Sequence, residues 1–233
     1  SLVGSEMCIR DRFLSERISI LIESGAIDPA IALLERASPL PPQLVPKLFE
    51  ASLLSSQYDP ACEQVLDLGA NYQNDAGRIY CHALTGDWLT ASLIYNTAKA
   101  LNSIENSTLD ILGEFLEIEE PSGRNIPKNK KDLKPLDFRL YETLGYPLFR
   151  ENLGNAFLFG DLSGDNGWYA QITAAERLAE DGVIDANRFL GIFTAYEAPS
   201  SNGIWGKVNA VQILDKALSR RTGAKELEIA LVN

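Results

Sequence analysis

The chain has 233 residues, 45% of them hydrophobic and 23% charged, with a formal net charge of −11. This is the composition of a globular protein. The acidic excess has the wrong sign for gripping nucleic-acid phosphates or an anionic membrane surface. No run of about 18 apolar residues occurs, so insertion of this segment into a membrane is not expected.

Residues 1–12, beginning Ser1-Leu2-Val3-Gly4-Ser5-Glu6-Met7-Cys8-Ile9-Arg10, resemble the translation of a sequencing adapter and are set aside from the fold. The chain proper then starts at Phe13. Leu14, Ile18, Leu21 and Ile22 recur at helical spacing and stop at Gly25. Asp28 is positioned to cap a second helix, with Pro29 at its first position and Ala30, Ile31, Leu34 and Ala37 as its apolar stripe. Ser38-Pro39-Leu40-Pro41-Pro42 ends it, because proline cannot continue a helix. Leu44, Leu48, Ala51 and Leu54 mark a third helix. Asp59-Pro60 opens a fourth, with Cys62, Val65 and Leu66 inward and Gly69 as its stop. Ala76, Ile79, Tyr80, Ala83 and Leu84 form a fifth, halted at Gly86. A sixth runs from Asp87 to about Leu101, and Thr108 opens a seventh through Ile111, Leu112 and Phe115.

The helical pattern breaks between 121 and 135. Pro121-Ser122-Gly123 and Ile126-Pro127 are turn formers, and Arg124, Lys128, Lys130, Lys131 and Lys134 make the stretch basic. It reads as a solvated linker between an N-terminal region, 13–120, and a C-terminal region, 136–233. In the latter, Leu136, Leu140 and Leu144 lead to Gly145, and a loop is expected from Gly154 to Gly167. Trp168, Ile172, Ala175 and Ala179 form a stripe ending at Gly182. Asp185 caps the next helix, with Phe189, Leu190, Phe193 and Tyr196 inward. After a Ser200–Gly203 break, Ile204, Val208, Val211, Leu214 and Leu218 line a last amphipathic helix. Lys225 to Val232 reads as a helix without a stop, so this region is taken as truncated.

One grammar recurs at Gly25, Gly86 and Gly182. A glycine takes the left-handed turn, an apolar residue plugs the hairpin at Ile27 and Ile184, and an aspartate follows at Asp28, Asp87 and Asp185. The three glycines are unevenly spaced, so a regular array of one period is excluded. The fold expected is all-α: an irregular helical-repeat superhelix, or two helical bundles joined by a linker.

The Gly86-Asp87-Trp88-Leu89-Thr90-Ala91 segment, with Tyr95 and Ala98, resembles the second half of a tetratricopeptide repeat, which implies an α-solenoid architecture and no particular ligand. A broader resemblance, from Phe13 to the end, is to uncharacterised helical proteins of marine alphaproteobacteria. It rests on Ile79-Tyr80-Cys81 before Gly86-Asp87-Trp88, Leu136-Asp137-Phe138-Arg139-Leu140, Gly167-Trp168 and Ala174-Ala175-Glu176-Arg177-Leu178-Ala179. It implies no functional residues.

Candidate chemistry is sparse. His82 is the only histidine, so a nucleophile–histidine apparatus would have to use it, yet Cys81 points about 100° away on a helix. Without Cys8, the cysteines are Cys62 and Cys81, on consecutive helices. They form either a disulfide, which would place the chain in the periplasm, or two buried thiols, which would suit the cytoplasm. The periplasmic reading leads. Asp161-Leu162-Ser163-Gly164-Asp165-Asn166-Gly167 has oxygen ligands at alternate positions. It lacks the glycine and the glutamate of a calcium loop, and reads as a turn. Glu119-Glu120 reads as a solvated helix end, and no phosphate-binding glycine loop occurs. No catalytic set, metal or cofactor is expected. The function expected is a non-enzymatic scaffold that binds a protein or peptide in a groove between helices. Trp88, Tyr95, Trp168, Tyr196 and Trp205 are its candidate anchors. The rival is an accessory helical domain of a larger enzyme.

Overall fold

The computed structural model describes residues 3–55, 59–119, 133–148, 150 and 153–219. Among the described residues there are α-helices and short 3-10 turns and no strand. No helix there is long and apolar enough to cross a membrane. The chain divides into two compact units, Ser1–Gly160 and Asp161–Asn233.

The first unit contains α1 (Val3–Ser24), α2 (Ile27–Arg36), α3 (Val45–Ser55), α4 (Asp59–Leu68), α5 (Asp75–Leu84), α6 (Trp88–Leu101), α7 (Asn106–Phe115), α8 (Pro135–Thr143) and the single turn α9 (Asn155–Leu158). The first seven pack in series, each on the next. In addition α1 touches α3, and α5 touches α7. The chain then turns back: α8 lies on α3 and α7, and α9 lies on α1. Helices α1, α3 and α7 are thereby covered by the chain's own later segments. The expected linker 121–135 falls outside the described residues as far as 132; Leu133 is buried and Pro135 already opens α8.

Each predicted hairpin is closed in the same way. Gly25, Gly86 and Gly182 have φ of +88°, +84° and +70°. In each, the glycine N–H bonds the carbonyl three residues back, and the next N–H reaches five back, as in Gly86 to Ala83 (3.0 Å) and Asp87 to His82 (2.9 Å). This double bond satisfies helix-end carbonyls that have no intrahelical partner. Asp87 and Asp185 then cap α6 and the helix after Gly182, accepting from the N–H groups of Thr90 (3.1 Å) and Arg188 (2.8 Å). Asp28 does not cap. Ile27 is fully buried as the plug and is already helical, which places Asp28 inside the first turn of α2. Small residues let α6 pack closely: Ala91 and Ala98 are buried, with Tyr95 inside between them, as their spacing predicts.

Helix α8 is buried on every side, with Leu136 through Tyr141 all inside. Its polar members therefore need partners. Arg139 donates from Nε to the Leu53 carbonyl (3.0 Å) in the last turn of α3, and from Nη1 to Glu142 (2.6 Å). A guanidinium at a helix C-terminus meets both the orphan carbonyl and the negative end of the dipole. Cys62 on α4 and Cys81 on α5 are joined in a disulfide with Cα atoms 5.2 Å apart, and both are buried.

The second unit contains α10 (Trp168–Glu180), α11 (Ala186–Phe193) and α12 (Ile204–Ser219), with α11 packed on both others. Ile172, Ala175, Leu178, Phe193 and Val208 are buried within it. The loop expected from Gly154 to Gly167 is largely helical, as α9 and a 3-10 turn to Ser163. Its run Ala156-Phe157-Leu158-Phe159 is apolar enough to be buried without a period that marks a long helix.

Candidate functional site: an aromatic joint

The five candidate anchors part company in the structure. Tyr95 is 0% exposed: its ring is core, and its hydroxyl donates to Glu119 Oε1 at 2.8 Å. It is corrected from a groove residue to a packing residue, because the Ala91-Tyr95-Ala98 stripe that suggested it is the buried face of α6. Trp88, at the start of α6, is 49% exposed and leans on Phe115 with ring centroids 6.1 Å apart.

The other three come together in the second unit. Trp168 opens α10 after Gly167. It meets Tyr196 edge-on at 5.3 Å and Trp205, the second residue of α12, at 5.1 Å. Tyr169, which the sequence reading passed over, joins them 6.1 Å from Trp205. The joint is held from beneath. The Trp168 indole donates to the Ile192 carbonyl (2.9 Å). Gln212, buried on α12, donates to the carbonyls of Phe193 (2.9 Å) and Tyr196 (2.8 Å). Gln212 thus fixes the chain where α11 stops. Because α11 ends at Phe193, Tyr196 lies beyond the stripe it was assigned to and turns outward, 64% exposed; Tyr169 is 61% exposed. The signal for Tyr169 was present, as a second aromatic directly after Trp168 in the first turn of α10. An ion pair between Lys207 and Glu176 ties α12 to α10 at the surface, and the Glu176 contact raises the Lys207 ammonium above its ordinary value.

Elsewhere the candidate chemistry resolves into structure. His82 Nδ1 lies 3.3 Å from Asp87 Oδ2 at the α5–α6 turn, and its neighbour Cys81 is tied up in the disulfide with Cys62. Hydrogen bonds from Thr90 hold the Asp87 carboxyl below its ordinary value. Glu119 accepts from Lys99 (2.5 Å) and Tyr95, and these bonds lower its pKa; Glu120 lies outside the described residues. Asp161 is buried and accepts from Asn166 (2.7 Å) across the Asp161–Gly167 turn. Among the described residues, no three or more His, Cys, Asp or Glu side chains are grouped to hold a metal ion. Comparison of the chain with protein-family models, characterised proteins and solved structures gave no match.

Proposed function

We propose that this chain is a non-enzymatic scaffold, an irregular helical superhelix of tetratricopeptide-like hairpins that binds a protein or peptide partner. The observation that carries the reading is the joint of Trp168, Tyr169, Tyr196 and Trp205, whose two tyrosines are more than half exposed while their neighbours are fixed from below. Exposed aromatic rings on a rigid base offer large contact area at little entropic cost, which is the make-up of an interaction hot spot. The partner's contribution is an apolar or proline-bearing segment laid against those rings. The face of the first unit formed by α1, α3 and α7 is a poorer groove, since α8 and α9 already lie on it.

Partner capture with wild-type chain and with the Tyr169→Ala/Tyr196→Ala double variant tests this. A partner retained by the wild type, lost from the double variant and kept by Leu89→Ser is the expected result. Leu89 is an exposed apolar residue of the other unit and serves as the control. Identical capture by all three proteins would overturn the reading.

A further inference from the structure

Helix α6 packs on α5 and α7, and its buried face carries Ala91, Tyr95 and Ala98. At about 100° per residue, Leu89, Leu93, Asn96 and Ala100 share the opposite face. All four are exposed, Leu89 by 83% and Leu93 by 66%, and Leu101 extends the edge of the face at 71%. A single exposed leucine is ordinary, but a contiguous run on one helix face marks an interaction surface. The spacing of four, three and four residues is that of a seam packed on another helix.

This face carries no charge, although the chain as a whole has a net charge of −11. Lys99 is the one charged residue of α6; it lies on the flank and is paired with Glu119 at 2.5 Å. Exposed helix faces are ordinarily charged or polar. A basic partner would find no carboxylate here, and an acidic partner no free cation. A second copy of the same neutral face meets neither a like charge nor an ion to be stripped of water.

The face is also complementary to itself. About the midpoint between Ile94 and Tyr95, Leu89 maps onto Ala100 and Leu93 onto Asn96. A two-fold axis there, relating two antiparallel helices, sets each leucine against a smaller side chain of the other copy. The two Asn96 residues then lie about 5 Å apart along the helix direction, where their amides can bond each other. A parallel pair would set Leu89 on Leu89 and Ala100 on Ala100, crowding one end and leaving the other unfilled.

We propose that this face is a homodimer surface, joining two copies of the chain through antiparallel α6 helices about that axis. One helix pair makes a contact at the small end of specific interfaces, so the dimer is reversible, with a dissociation constant of about 100 µM or tighter. This surface belongs to the first unit and the aromatic joint to the second, so the failure of either reading leaves the other standing.

Sedimentation equilibrium of the full chain between about 5 and 500 µM tests this. Expected are a monomer–dimer equilibrium for the wild type and at least about tenfold weaker association for Leu93→Glu, which brings two carboxylates together at the axis. Leu218→Glu, at an exposed apolar position of the second unit, should associate like the wild type. All these positions are exposed, and an unchanged Tm verifies the fold of each variant. Two double variants test the register. Leu89→Lys/Ala100→Glu places opposite charges face to face only in the antiparallel pair, and should associate more tightly than Leu89→Glu/Ala100→Glu. The proposal falls if the wild type stays monomeric throughout, if Leu93→Glu dimerises as well as the wild type, or if the two double variants associate equally.

Discussion

The α5–α6 hairpin and the α10–α12 unit carry similar aromatic residues and put them to opposite uses. In the hairpin, Tyr95 goes fully inside and ties α6 to the segment after α7 through Glu119. In the other unit, α11 stops at Phe193, so Tyr196 emerges on the outside and meets Trp168, which packs in turn on Trp205. Whether an aromatic becomes core or contact surface is decided by where its helix ends and what packs across it.

The largest expected effect separates these two cases. Tyr95→Ala should destabilise the chain by about 4 kcal/mol, the cost of emptying a core aromatic site. Tyr196→Ala should cost under about 1 kcal/mol. Equal effects in denaturant unfolding would erase the contrast. The disulfide belongs to the packing side of it: replacing both Cys62 and Cys81 by Ser should cost about 3 kcal/mol, read as a lower unfolding midpoint. An unchanged midpoint would show that the bridge adds nothing to the α4–α5 contact.

A third prediction concerns what the two regions share. Gly86 and Gly182 have left-handed backbones and open space beside them, so alanine at either should cost about 1 kcal/mol from backbone strain alone. Gly25 differs, because an added Cβ would lie 2.7 Å from the Asn155 Cβ and 2.9 Å from its backbone carbon. Gly25→Ala should therefore cost about 3 kcal/mol. Equal losses at all three would contradict the close approach of α9 to the first hairpin.

The smallest effect is a pH dependence at Asp137. Its pKa is raised in the folded chain by burial, so ionisation penalises the native state above that pKa. Below the unfolded value both states are protonated and the penalty vanishes. Asp137→Asn should thus raise Tm at neutral pH, and the gain should shrink as pH falls through the carboxylate range. A gain that grows on acidification would reverse the assignment.

Much of the local grammar was readable in the residues. Glycine at 25, 86 and 182 and the Asp87 and Asp185 caps are dictated by backbone chemistry within a few positions. Asn102 and Glu117 also take left-handed backbones at helix ends, with φ of +51° and +56°, and escaped because neither is glycine. Tertiary packing hid the rest. The Leu136–Leu140 stretch looks like a helix with one apolar stripe, yet α8 is enclosed on all sides. Its Asp137 and Arg139 gain their meaning only from Thr108 and Leu53, which are far away in the chain. Three of the aromatic joint's members were legible as aromatics near helix starts or ends. Their convergence was not, since it depends on the α11–α12 connection and on Gln212.

The most direct measurement is the affinity of a captured partner for four proteins: wild type, Tyr169→Ala/Tyr196→Ala, Trp88→Ala and Leu89→Ser. If the α10–α12 joint is the binding surface, the double variant should weaken binding about thirtyfold or more, while Trp88→Ala and Leu89→Ser should stay within about twofold. A double variant that binds like wild type, with loss confined to Trp88→Ala or Leu89→Ser, would move the partner surface to the α5–α6 hairpin and contradict the account.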